Sequence, residues 1–191
     1  MKNYAALLAL SLLAVTLPVR ADQLADAKAL ASQLVQRLGA TLKQEMSAHG
    51  PDGAVGVCLD VAPSIASELS RQSGGKVARV SLKTRNPLLG TPDAWEQQVL
   101  MEFDRRAAAG EKPEALEFSE NVSEPNGRYL RYMKALPVQP LCLSCHGASE
   151  SIPDAVKAKL AADYPHDRAT GYEAGAVRGA VTVKLPAGAT P

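Results

Sequence analysis

Residues 128–149 read RYLRYMKALPVQPLCLSCHGAS. The first nine, RYLRYMKAL (128–136), read as a strand, and PVQPL then stops any regular element with two prolines. Upstream, ALEFSEN (115–121) is a second short strand, joined to the first through the hairpin-like turn SEPNG (123–127). Working outward from this pair, DAWEQQVLMEFDRRAAA (93–109) places Trp95, Val99, Leu100 and Phe103 at helical spacing, and KVARVSLKT (76–84) alternates as a strand does. RNPLLGTPD between them is a Pro- and Gly-rich connection.

Two helices precede these elements. Asp22 is placed to cap a long one through about Ala48, in which Leu30, Leu34, Leu38, Leu42 and Met46 form an apolar stripe, and HGPDG (49–53) ends it. A second helical stretch covers roughly 54–71 and contains Pro63, which should kink or divide it. After residue 149, a short helix near Asp154–Ala162 and a final strand, GAVRGAVTVKL (175–185), complete the order. Helices, strand, helix, hairpin, short helix and strand are most economically arranged as one α+β domain, an antiparallel sheet with helices packed on it. At 191 residues the chain suits one ordinary domain, with no internal repeat.

The N-terminus, MKNYAALLALSLLAVTLPVRAD, has the plan of a secretory signal peptide. Lys2 supplies the positive region, Ala5–Leu17 the apolar core, and Val19-Arg20-Ala21 a small-x-small cleavage site. Residues 1–21 are therefore expected to be removed, leaving residues 22–191 as the mature domain in the periplasm or outside the cell. The apolar run is shorter than the ~20 residues of a spanning helix. The remaining chain carries 19 basic against 20 acidic residues with no basic stripe, which argues against a nucleic-acid partner. Aromatic residues are 4% against a hydrophobic content of 46%, so a flat apolar cofactor would serve as part of the core.

Cys142-Leu-Ser-Cys145-His146 has the C-x-x-C-H spacing of covalent haem attachment. Each thiol adds to one vinyl group as a thioether, the two-residue gap lets both sulfurs reach one porphyrin edge, and the histidine becomes the proximal iron ligand. A structural zinc site needs four ligands, and only Cys58, His49 and His166 remain to complete it. A thioredoxin-like pair should follow a strand and open a helix, whereas PVQPL precedes this one. A disulfide within the motif would leave His146 idle. One motif implies one haem c.

Cys58 is the third cysteine. It lies on an apolar row with Val61, Ala62, Ile65 and Leu69, where a free cysteine packs as a small hydrophobe. It also has no disulfide partner once the other thiols are consumed, and thiolate is a haem ligand. Met46, Met101, Met133, His49 and His166 compete for the sixth coordination position, and an open position is a further alternative. Met101 and Met133 fit core packing better, and the two histidines stand in turn or loop sequence. Arg79, Arg85 and Arg178 suit haem propionates, or are ordinary strand-edge arginines. Tyr129, Tyr132 and Trp95 suit either the porphyrin or the core.

Six blocks occur in a familiar order: GVCLDVAP (56–63), RVSLKTRNP (79–87), PDAWE (92–96), CLSCHG (142–147), DYPHDRATGY (163–172) and VRGAVTV (177–183). In these the chain resembles a family of exported monohaem c-type domains with a PAS-like sheet, which also occurs as the sensory portion of some bacterial signalling proteins. The resemblance spans nearly all of the mature chain. It implies a haem c held by Cys142 and Cys145, with His146 and, unusually, Cys58 as axial ligands. One departure is visible: the family's Asn shortly after Arg-Asn-Pro is missing, and RNP runs into LLGTPD.

Function follows from the cofactor rather than the fold. A His/thiolate iron is saturated when ferric and should have a lower potential than a His/Met iron, which suits electron transfer or redox sensing without enzymatic turnover. The alternative is a CO, NO or O₂ sensor in which Cys58 leaves on reduction, signalling through a separate partner. Sulfur-compound or peroxide chemistry ranks last, because no acid/base constellation accompanies the motif.

Overall fold

The computed structural model describes residues 19–187. Most of the expected signal segment lies outside them. Helix α1 (Val19–Gly53) is already helical where the described residues begin, so Asp22 lies within it rather than capping it. Its core face is Ala27, Ala31 and Leu34, with Leu24, Leu30 and Leu38 packed alongside; Leu42 and Met46 are half-buried. A row of every fourth residue advances about 40° per step around a helix of 3.6 residues per turn, so the expected stripe winds off the buried face. At Gly50 (φ 76°, ψ −177°) the helix breaks, and Pro51 starts a last turn through Gly53. The HGPDG segment thus kinks the helix before ending it.

Residues Val57–Val61 form a π-helical turn, followed by α2 (Ala62–Ser73). Pro63 explains the division. It sits in the first turn of α2, where its missing N–H costs nothing, and the preceding amide, Ala62 N–H, bonds to Val57 O five residues back. α2 ends on Gly74 in the left-handed conformation (φ 63°).

The sheet has the order β1-β4-β3-β2, with β1 Lys76–Val80, β2 Glu117–Glu124, β3 Gly127–Pro137 and β4 Val177–Pro186, and every pairing is antiparallel. The domain is α+β, as its sequence order implies. Strands β2 and β3 form a tight hairpin around Pro125-Asn126, with Glu124 paired to Gly127. Strand β1 is shorter than KVARVSLKT suggests. Gly179 of β4 crosses so close to it that a Cβ would stand 2.4 Å from Val80 O, and the chain turns away at Ser81. The loop it enters closes through Ser81 N–H to Gly90 O and contains a short helix, α3 (Pro87–Gly90), capped by the Asn86 side chain.

Central strand β4 is buried on both faces. Val181, Val183 and Leu185 meet α1 and α2, together with Val77, Leu130 and Tyr132. Ala180 faces the other way, where Val80, Met133 and Ala135 pack under α4 (Ala94–Ala108) through Val99, Leu100 and Phe103. Met101 on α4 is 57% exposed, so it is not the core residue its helical pattern suggests. Two further short helices follow β3: α5 (Leu143–His146), which holds most of the cysteine motif, and α6 (Asp154–Asp163).

One polar cluster is buried among these layers. Glu96, fully buried, closes a reciprocal cap with Asp93 at the start of α4. Its Oε1 also accepts from Thr182 Oγ1 at 2.9 Å and lies 3.3 Å from both Arg131 Nη2 and Lys76 Nζ. Arg131 donates to Asp93 at 2.6 Å and lies over the Trp95 ring, 4.3 Å from its centroid. Breaking a buried, partnered charge network typically costs about 3–5 kcal/mol. Glu96→Ala is therefore expected to lower unfolding stability by about 3 kcal/mol or more in urea titrations of the folded chain.

Candidate functional site

A cavity of about 330 Å³ opens where α2 packs on edge strand β1. Its helix wall is built from small residues, Ala62, Ala66 and Ser70, spaced by four, below Cys58 on the π turn. Ile65 and Leu69 turn instead into the core, so the single apolar row read from the sequence is two adjacent rows with different duties. Val77, Arg79 and Val80 of β1, Arg85 and Leu89 of the loop, and Leu136 at the end of β3 continue the lining. His146, Tyr164 and Arg178 complete it.

The cavity therefore brings Cys58 and His146 together from positions 88 residues apart in the chain. Cys142 and Cys145 do not line it. All three cysteines are free and partly buried. Cys145 packs beside Val55, Ile152, Val156, Leu160 and Tyr164. Burial pushes its thiol pKa up, against the opposing pull of Arg85 and with smaller contributions from Cys58 and Cys142. The motif cysteine thus packs in a cluster with Tyr164, which lines the cavity, without lining it itself.

His146 is held in one orientation. Its Nδ1 lies 2.7 Å from Ala169 O and 3.2 Å from Arg178 Nε. A carbonyl only accepts, so Nδ1 must carry the proton, and Arg178 is then a neighbouring charge rather than a hydrogen-bond donor to the ring. The lone pair is left on Nε2. Burial, then Arg178 and Arg85, hold the imidazole well below its ordinary pKa, so the ring is neutral.

The motif backbone is fixed by a segment far along the chain. Gly171 N–H donates to Gly147 O at 2.7 Å and Tyr172 N–H to His146 O at 3.0 Å. Gly147 cannot be replaced freely, since a Cβ there would lie 2.7 Å from Leu143 O. Arg85 ties the arrangement together: Nη2 donates to Cys145 O at 2.5 Å, and Nε to Asp167 Oδ2 at 3.1 Å. Arg85 is only 8% exposed, which corrects its reading as an ordinary edge arginine. Arg178, also largely enclosed, donates to Ser81 Oγ at 2.9 Å and Lys83 O at 3.2 Å. Arg79 has no side-chain hydrogen bond or ion pair among the described residues.

The competing ligand candidates lie elsewhere. His49 is exposed and pairs with Glu45 at 2.8 Å, and His166 is exposed in its loop. Met133 is buried on the α4 side of the sheet, and neither Met46 nor Met101 lines the cavity. Trp95 donates to Glu120, Tyr132 donates to Glu117, and Tyr129 packs against Lys184; none reaches the cavity. Among the described residues no three His, Cys, Asp or Glu side chains converge in a metal-holding group. Sequence reasoning missed Tyr164, whose hydroxyl pKa burial pushes up to about 12, and the Ala62/Ala66/Ser70 spacing that makes room for an occupant.

These features define a class: an α+β domain whose edge-strand cavity is bounded by the histidine of a C-x-x-C-H motif and by a distant cysteine on a π-helical turn. The chain belongs to the Tll0287-like family, whose profile (Tll0287) matches residues 16–186. This agrees with the resemblance carried by the six sequence blocks. Among solved structures, that of the cyanobacterial heme-protein Tll0287 is similar, with a TM-score of 0.61 and 28% sequence identity over 90% of this chain and 96% of that one. No curated protein matches the chain.

Loss of the Arg85 anchor should loosen the motif without unfolding the rest of the domain. In Arg85→Gln, amide exchange at Gly171 and Tyr172 is expected to quicken about tenfold or more, the equivalent of ~1.5 kcal/mol or more for a charge-assisted hydrogen bond. Exchange at Val181 and Val183 in the central strand should be unchanged.

Proposed function

We propose that the protein is an exported monohaem c-type cytochrome whose work is electron transfer or redox sensing rather than catalysis. In this reading Cys142 and Cys145 are the thioether cysteines, His146 the proximal ligand and Cys58 the second axial ligand. One observation carries it: a single cavity is lined by Cys58 and by His146, whose Nδ1 is committed to Ala169 and whose Nε2 is free. The similar cyanobacterial structure is that of a heme-protein, which supports the same cofactor.

The residues fit that group chemically. The lining is largely apolar, from Ala62, Pro63, Ala66, Val77, Val80, Leu89 and Leu136, and the cations in it match carboxylate substituents. Bound there, haem c supplies a one-electron iron couple. The chain contributes the rest. The Nδ1–H···O=C bond fixes the ring orientation and tautomer, while burial and the charges of Arg178 and Arg85 keep the imidazole neutral. Arg85 holds the motif turn so that the two thiols and the imidazole keep their relation. An anionic Cys58 sulfur favours ferric iron, so the potential should fall below that of a His/Met site. The likeness to a PAS sheet and the periplasmic location belong to this reading too. No helix among the described residues is long and apolar enough to cross a membrane.

A second reading, gas sensing through a partner protein, is favoured by the place of Cys58. A ligand on a π-helical turn sits on irregular backbone that has an α-helical alternative, so its release on reduction would move the start of α2.

Two measurements test this. Exported with a haem c maturation system, the wild-type chain should retain haem in a denaturing gel, and Cys142→Ala or Cys145→Ala should weaken that attachment. The ferric electron paramagnetic resonance spectrum should change in Cys58→Ala; an identical spectrum excludes Cys58 as a ligand. Separately, CO added to the reduced protein should leave the Soret band in place if Cys58 or a replacement stays bound. A shift in that band means that the sixth ligand is displaceable on reduction and makes gas sensing the leading reading.

A further inference from the structure

We propose that Arg79 is a binding residue for a haem propionate. The inference rests on the haem reading and concerns a part of the site that this reading leaves unassigned.

The cavity holds positive charge without an anion of its own. Arg79, Arg85 and Arg178 line it, and no Asp or Glu does. Asp167 pairs with Arg85, its nearest carboxylate, at 3.1 Å. Arg178 is largely enclosed, and the groups it donates to, Ser81 Oγ and Lys83 O, are both neutral. Arg79 has neither a hydrogen bond nor an ion pair from its side chain among the described residues. Guanidinium charge held beside an apolar wall without an anion is costly, and an anionic occupant removes the cost.

The three arginines are not equivalent. Arg85 is spent on Cys145 O and Asp167, and Arg178 is spent on the Ser81–Lys83 turn. Arg79 keeps all five donors of its planar fork. It sits on edge strand β1 in register with Val181, two residues from Val77 and hence on the same face of the sheet, the face against which α2 packs. A free fork at a half-open cavity suits a carboxylate by two parallel N–H···O bonds, the geometry in which arginine exceeds lysine. Arg178, another lining residue, adds positive potential.

The pairing has a consequence that a merely structural arginine would not have. A paired propionate stays ionised across the neutral range. Without Arg79 its pKa rises toward and above the ordinary carboxylate value, in a window of about pH 5–7. Reduction of the iron would then be accompanied by proton uptake at that carboxylate, one electron and a fraction of one proton, and the potential would fall as pH rises through the window.

The experiment is redox potentiometry of haem-loaded wild type, Arg79→Gln and Arg128→Gln between pH 5 and 8. Arg128 is exposed on the hairpin and controls for loss of one positive charge. Arg79→Gln is expected to have a lower potential at pH 8 than wild type and to gain a pH dependence absent from wild type and Arg128→Gln. A potential and pH profile in Arg79→Gln equal to those of wild type overturns the proposal while leaving the haem reading intact. Should Arg79→Gln not mature, Arg79→Thr, suited to an edge strand, is measured in its place with the same two outcomes. Absence of covalent haem from wild type overturns the haem reading and this proposal with it.

Discussion

The site depends on the buried guanidinium of Arg85. It joins the loop after β1 to the motif turn through Cys145 O and to the segment after α6 through Asp167. Those three pieces are separated by 60 and 82 residues, and no strand pairing connects them. Arg85 does this with a pair that is 8% and 10% exposed, where water competes little for its donors. The carbonyl of Ala169, in the same segment, then fixes His146. The imidazole is oriented at second hand, by backbone that Arg85 has positioned.

The sheet separates two kinds of packing. On the α4 side, apolar contacts and the Glu96 cluster bind the helix to the sheet, leaving a smaller cavity of about 160 Å³ beside Leu100 and Asp104. On the α2 side, alanines and serines leave a gap beside the edge strand. An edge strand exposes unpaired backbone groups and is normally covered or charged. Here the edge carries Arg79 and borders the cavity, so an occupant would also cover part of an otherwise open strand.

Much of this was legible in the sequence where the signal is local. The α+β order, the tight hairpin at Pro125-Asn126 and the division of the second helix at Pro63 all follow from turn chemistry and periodicity. The Cys142–His146 spacing and the six ordered blocks pointed to the family without any geometry. The features that were not legible depend on contacts between distant segments. The role of Arg85 needs Asp167 and Cys145 brought to it. The early end of β1 needs Gly179 to pass Val80 at close range. Tyr164 looked like any loop residue because the cavity it borders is built mainly from residues nearly a hundred positions earlier. The fourfold leucine stripe of α1 misled for a different reason, a small angular drift that accumulates along a long helix.

The π turn also sets a rotational phase. A π insertion adds one residue to a helix without adding a turn, so it offsets everything before it by about 100° relative to the helix beyond it. Pro63 helps hold that offset because it cannot supply the amide that would bond to Leu59 O in a regular α-helix. The irregular turn is thus written into the sequence at one position: the chain before Ala62 enters α2 out of phase with it, and Cys58, one of the cavity's lining residues, stands on that side of the junction.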